Sequence, residues 1–163
     1  AVGAVVVLIG VSAFFSSSET AIFTLPEAWF TTSETAADSR FATLQNLRDD
    51  PHRLLVTLLV GNNVVNVAIA SITTLLLTEH LPAGVAVTAS TVVASTVVLI
   101  FGEIVPKSYG LGHAEEWALR VARPIALVGR ILLPLVVLFD WITRHLNAVI
   151  GGEPAIEKTH VEE

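Results

Sequence analysis

The sequence has no cysteine and no methionine, and it is poor in charge. Only 15% of its 163 residues are charged, against about 25% in an average globular chain. Without cysteine there is no disulfide-stapled secreted domain and no thiol site for a soft metal. The formal net charge is -6, which disfavours a nucleic-acid partner, since phosphate binding needs a basic surface. The 53% hydrophobic content and mean hydropathy of +0.71 exclude disorder. With no methionine, a chain opening at Ala1 reads as a piece of a longer protein. H-E-x-x-H and G-x-S-x-G are both missing, and no histidine lies within the long apolar runs, so the reading is of a protein that is not an enzyme.

What the chain does have is long uncharged runs. A spanning helix needs about 20 mostly apolar residues. Ala1 to Ser18 is charge-free, and the apolar character resumes after Glu19 as far as Leu25. Leu54 to Thr78 gives 25 residues without a charge, and Leu81 to Gly102 gives 22. These predict three spans, at about 2–25, 54–78 and 83–105. A fourth stretch, Trp117 to Ile150, carries Arg120, Arg123, Arg130, Asp140 and Arg144 and is broken by Pro124 and Pro134. Its longest charge-free piece, Ile131 to Phe139, is nine residues, too short to span. Residues 114–149 therefore read as an amphipathic interfacial belt, with a fourth span as the alternative.

The expected fold is an all-α membrane protein, with residues 1–150 forming one transmembrane domain. Arg40, Arg48 and Arg53 lie between the first two spans, and none lies between the second and third. Lys107, Arg120, Arg123 and Arg130 follow the third. By the positive-inside rule the first loop and the C-terminal region are cytoplasmic and the N-terminus is outside. Residues 31–53 read as a cytoplasmic helical hairpin containing an amphipathic turn at Phe41, Leu44 and Leu47. Asp50-Pro51 reads as an N-cap followed by proline, launching the second span. Residues 151–163 read as an acidic linker to a further cytoplasmic domain.

Three polar clusters interrupt the apolar runs. Ser12 and Ser16 are four apart and share a helix face, followed by Ser17, Ser18 and Glu19. The bland alternative is packing, or hydroxyls bonded to their own turn. Asn62, Asn63 and Asn66 lie within five residues, and each amide in lipid needs a partner. Glu103 closes the third span within Gly102-Glu103-Ile104-Val105-Pro106-Lys107. A carboxylate inside a membrane helix points to function. Pro106 has no N–H for the Gly102 carbonyl four residues back, which predicts a locally unwound helix with a freed oxygen beside Glu103. The bland alternative is a kink, with Glu103 paired to Lys107. The donors are all oxygen with one carboxylate, which suits Mg²⁺, with Na⁺ as a second occupant. His52, His80, His113, His145 and His160 read as surface or interface residues.

Four blocks carry a family resemblance. They are Ser12-Ala13-Phe14-Phe15-Ser16 leading into Ser18-Glu19-Thr20-Ala21, Asp50-Pro51 with Leu54-Leu55, Gly61-Asn62 with Val65-Asn66, and Gly102 to Ser108. Their order and spacing resemble the transmembrane domain of the CorC/CNNM (cyclin M) magnesium transporter family. One departure is Ser17, where the family often has glycine. The resemblance implies a homodimer in the plasma membrane, three spans with a juxtamembrane belt, and a cytosolic pair of CBS modules in the full-length chain. It implies Mg²⁺ transport, in the direction of export coupled to Na⁺, with a dehydrated ion between the helices. The implied ligands are Ser12, Ser16, Asn62 or Asn63, the Gly102 carbonyl and Glu103. Asn66 is added by helix facing, and Glu19 or exchange with Na⁺ would balance charge. The alternative is a Mg²⁺-sensing membrane scaffold that does not transport.

Overall fold

The computed structural model describes residues 1–32 and 38–150, and all of its regular structure is helical. Part of the expected hairpin at 31–53 and the whole expected linker at 151–163 lie outside the described residues. The helices are α1 (Val2–Thr24), α2 (Glu27–Thr32), α3 (Ser39–Arg48), α4 (Pro51–Thr78), α5 (Ala83–Val97), α6 (Val105–Gly112), α7 (Ala114–Ile131) and α8 (Leu133–Ile150). Between α5 and α6 the chain does not stop. Val98–Ile104 is a π-helical segment, so Ala83–Gly112 forms one continuous helix of 30 residues.

Local chemistry accounts for the ends. The Asp50 carboxylate accepts the Arg53 N–H at 3.1 Å with Pro51 at the first helical position, as the sequence predicts. Arg48 of α3 donates to the Leu25 carbonyl at 2.7 Å, just past the end of α1, and stacks 4.5 Å over the Phe30 ring. Its positive charge also suits the negative end of the α1 dipole. Phe41 and Leu44 of α3 are buried, giving that short helix its inner face.

The core lies at one end of the molecule, where the second half of α1 meets α3, the start of α4 and α7. Ile22, Leu44, Leu58, Val121 and Ile125 are its most enclosed large side chains there. On α7 the apolar residues Ala118, Leu119, Val121, Ala122 and Ile125 fall on one face. The Trp117 indole N–H donates to Ser17 Oγ at 3.0 Å, fastening α7 to α1.

Three glycines set how closely α1 is approached. A Cβ on Gly61 would lie 2.7 Å from the Phe15 ring, and one on Gly102 would lie 2.7 Å from Ser12 Oγ. A Cβ on Gly110 would strike the Ser17 backbone carbonyl, which cannot rotate away. Close approach of this kind is what small residues contribute to membrane helix pairs.

The sequence expectation needs correction in three places. Pro106 does not end the third helix, which runs on to Gly112 instead of stopping near 105; the expected local unwinding takes the form of a π turn. The backbone widens before the proline, where Val105 N–H bonds the Ile100 carbonyl five residues back. That wider turn makes room for a ring that would otherwise crowd the carbonyl of Gly102. Next, the belt is two helices broken at Leu132. Pro124 stays inside α7 on its exposed side, and Pro134 falls in the first turn of α8, where no intrahelical N–H is needed.

Last, four helices, not three, are long and apolar enough to cross a membrane, α8 being the fourth. Counting its charges singly overstated their cost, because Asp140 and Arg144 pair at 2.9 Å and His52 meets the other Asp140 oxygen at 3.2 Å. The His52 contact sets Asp140, in the middle of α8, level with the first turn of α4.

Two measurements follow from this packing. Gly110→Ala should lower stability by about 1–3 kcal/mol through overpacking. Gly10→Ala, with open space around it, should be neutral or stabilising by up to about 1 kcal/mol. Thermal unfolding in detergent separates the two. If α8 lies at the membrane surface, as the Asp140 height favours, cysteines placed at Asn46 and Asn147 should label from the same side. Labelling of Asn147 from the opposite side would make α8 a fourth span.

Candidate cation site between three helices

The serines of α1 divide into two kinds. Ser17 and Ser18 donate to the Phe14 carbonyl at 3.2 and 2.6 Å, and Thr20 donates to the Ser16 carbonyl. These bond to their own turn, as the bland alternative expects. Ser12 does not. Its hydroxyl is fully buried and lies 3.1 Å from Asn62 Oδ1 and 2.8 Å from Asn66 Oδ1. Ser16, one turn on, is also fully buried, and its Oγ has no hydrogen-bond partner among the described residues.

The asparagines carry the network onward. Asn62 Nδ2 donates to Glu103 Oε1 at 2.7 Å, and Asn66 Nδ2 reaches the same oxygen at 3.5 Å. Glu103 Oε2 pairs with Lys107 Nζ at 3.3 Å. The amide nitrogens therefore face the carboxylate, and the amide oxygens face Ser12. One hydroxyl proton can only be shared between two acceptors, and cannot fully satisfy both. Ser12 Oγ, Asn62 Oδ1 and Asn66 Oδ1 thus crowd together with a single proton among them. One turn further along α1 is the Ser16 hydroxyl, also without a partner among the described residues. Convergent oxygen lone pairs short of protons are what a hard cation satisfies.

The π-helical segment supports this arrangement. It contains Gly102 and Glu103, and Gly102 lets the third helix press against Ser12. Nothing in the apolar pattern signalled the π turn. Proline at 106 was the only hint.

The predicted residues do not all gather here. Asn63 points away, with its Nδ2 donating to the Leu59 carbonyl at 2.9 Å, and it is exposed. One residue is 100° of helix, which is enough to turn it off the Asn62–Asn66 face. Glu19 is half-buried, two turns along α1 from Ser12 on the same face, and has no hydrogen bond or ion pair among the described residues. Lys107 is in the site, so the salt bridge offered as the bland alternative coexists with the amide network. Its side chain is 44% exposed and that of Glu103 24%, so the pair is open to exchange. No group of three His, Cys, Asp or Glu forms a metal cluster among the described residues. A cation here would rest on neutral oxygens and one carboxylate. The sequence missed His52, which meets Asp140 across 88 positions.

Comparison with known proteins bears on these residues. Residues 3–163 match the family model of the cyclin M transmembrane N-terminal domain. The chain belongs to this family. It is similar to a chloroplastic DUF21 domain-containing protein of Arabidopsis thaliana, at 35% identity over 146 residues, covering 89% of this chain and 22% of the relative. It is similar to the UPF0053 inner membrane protein YfjD of Escherichia coli, at 32% over 142 residues, covering 86% and 33%. A UPF0053 protein of Haemophilus influenzae is 28% identical over 154 residues, covering 94% and 36%. The chain thus spans between a fifth and two fifths of the length of these relatives. Among its described residues this cyclin M membrane domain is all-helical, with Ser12, Asn62, Asn66 and Glu103 gathered where α1, α4 and the π-helical segment meet.

The network makes a sharp contrast between neighbours. Asn62→Ala strips partners from Ser12 and Glu103 together and should cost about 1–3 kcal/mol. Asn63→Ala should stay within about 0.5 kcal/mol. Thermal unfolding of the two variants checks this, and equal losses would dissolve the network.

Proposed function

We propose that this cyclin M domain is the ion-conducting part of a magnesium transporter, moving Mg²⁺ outward in exchange for Na⁺. The single observation that carries the reading is the crowding of Ser12, Asn62 and Asn66 oxygens around one shared proton, bridged to Glu103. Mg²⁺ wants about six oxygens in near-octahedral array and is costly to dehydrate. Ser12, Ser16, Asn62, Asn66, the Gly102 carbonyl and Glu103 are the ligands proposed, and Asn63 is dropped from the set. Pro106 contributes by leaving the Gly102 carbonyl without its usual N–H.

Lys107 plays the counter-cation. In binding, the incoming ion displaces its ammonium from Glu103, so the carboxylate is never left bare in an apolar surrounding. A divalent ion against one carboxylate still leaves positive charge, and Glu19 or exchange with Na⁺ balances it. Alternating access follows if α1 and the third helix separate first on one side and then on the other. The domain acts as a homodimer in the plasma membrane, with the N-terminus outside and a cytosolic CBS pair attached in the full-length chain.

Flux tests the reading. Proteoliposomes holding the full-length protein should show Mg²⁺ flux driven by a Na⁺ gradient. Glu103→Gln should reduce that flux at least tenfold, and Ser71→Ala, exposed on α4 away from the site, should leave it unchanged. Mg²⁺ binding that depends on Glu103 without any flux would replace the transporter with a Mg²⁺-sensing scaffold. Binding and flux untouched by Glu103→Gln would remove the site.

A further inference from the structure

At the other end of α4 from its turn into α5 lies a cavity of about 310 Å³, between α3, α4 and α7. Arg53 from the first turn of α4 and Arg130 from the end of α7 both line it. Five further arginines are described, and each has a partner. Arg40 pairs with Asp38, Arg48 with Leu25 O, Arg120 with Glu116, Arg123 with Ser39 and Arg144 with Asp140. Among the described residues, Arg53 and Arg130 have no side-chain hydrogen bond or ion pair. The two arginines left over share one cavity, although 77 positions separate them in the sequence.

The cavity also has a defined height. Asp50 and Arg53 precede the charge-free run of α4, while Leu54 and Thr57 on its wall belong to the first turns of that run. It therefore straddles the boundary between headgroups and hydrocarbon. Asp50 is the counter-charge present, and its carboxylate is engaged as the α4 cap. Two guanidiniums and one carboxylate leave the lining at one net positive charge. That complements a phosphodiester with one negative charge, which planar guanidinium forks bind well. Basic pockets between membrane helices are recognised lipid headgroup sites.

We propose that this cavity binds the phosphodiester of an anionic membrane lipid headgroup, held by Arg53 and Arg130. The apolar wall at Leu47 and Leu54 faces its glycerol and upper acyl chain. The site is separate from the Ser12–Glu103 network and does not depend on its function.

The test uses the full-length protein in detergent, titrated with dioleoylphosphatidylglycerol, dioleoylphosphatidylcholine or soluble glycerophosphoglycerol. Thermal shift and native mass spectrometry are the readouts. Phosphatidylglycerol should raise Tm and remain bound, while phosphatidylcholine should not. Arg53→Gln/Arg130→Gln should weaken phosphatidylglycerol binding at least tenfold, and Arg120→Gln should leave it unchanged. Gly129→Leu fills the cavity beside Thr57 while keeping both arginines, and should also abolish binding even where the double variant folds poorly. Undiminished phosphatidylglycerol binding in the Gly129 variant or in a folded double variant overturns the site. An equal Tm shift from glycerophosphoglycerol overturns the lipid assignment in favour of a free phosphodiester.

Discussion

The close approach of α1 to its neighbours is the contact on which the rest is built. A helix whose second half is Ser16, Ser17, Ser18, Ala21 and Ile22 on its inner side has little bulk to hold other helices away. Gly61, Gly102 and Gly110 answer it with no side chain at all. Backbones near each other gain dispersion energy in lipid, where the hydrophobic effect no longer drives helices together. The same proximity brings a hydroxyl of α1 within reach of amides on α4 and, through them, of a carboxylate on the third helix.

That geometry changes the meaning of each polar residue. Isolated in lipid, Glu103 would cost about 2.5–3.5 kcal/mol at the bilayer centre and each unpaired amide of Asn62 and Asn66 about 2–7 kcal/mol. Joined in one network they offset one another, and the remaining deficit is a shortage of protons among oxygens. On the proposed reading a cation would remove that deficit, so the arrangement that lowers the folding cost would also create affinity. The π turn serves both ends, since it accommodates Pro106 while presenting Gly102 to α1 and Glu103 to the amides of α4.

The far end of α4 follows a different logic. There α3 and α7 close over the apolar core, and charges sit where water and headgroups can reach them. Some pair locally, at four-residue spacing in Glu116–Arg120 and Asp140–Arg144. Among the described residues Arg53 and Arg130 have no such partner, and only their shared cavity makes that informative.

Much was legible in the sequence because a bilayer imposes a one-dimensional rule. Charge-free length marks α1, α4 and the third helix, and Asp50-Pro51 marks where α4 starts. Helix periodicity puts Ser12 with Ser16 and Asn62 with Asn66, and the four blocks gave the family. Tertiary structure decided what periodicity leaves open. Ser12 and Ser18 have the same hydroxyl, and only the neighbouring helix determines which donates outward. Asn62 and Asn63 differ by one position, and the crossing of α1 over α4 chooses between them. The π turn, the His52–Asp140 contact and the meeting of Arg53 with Arg130 are long-range results of packing. No local rule contains them, because each depends on where a distant backbone comes to rest.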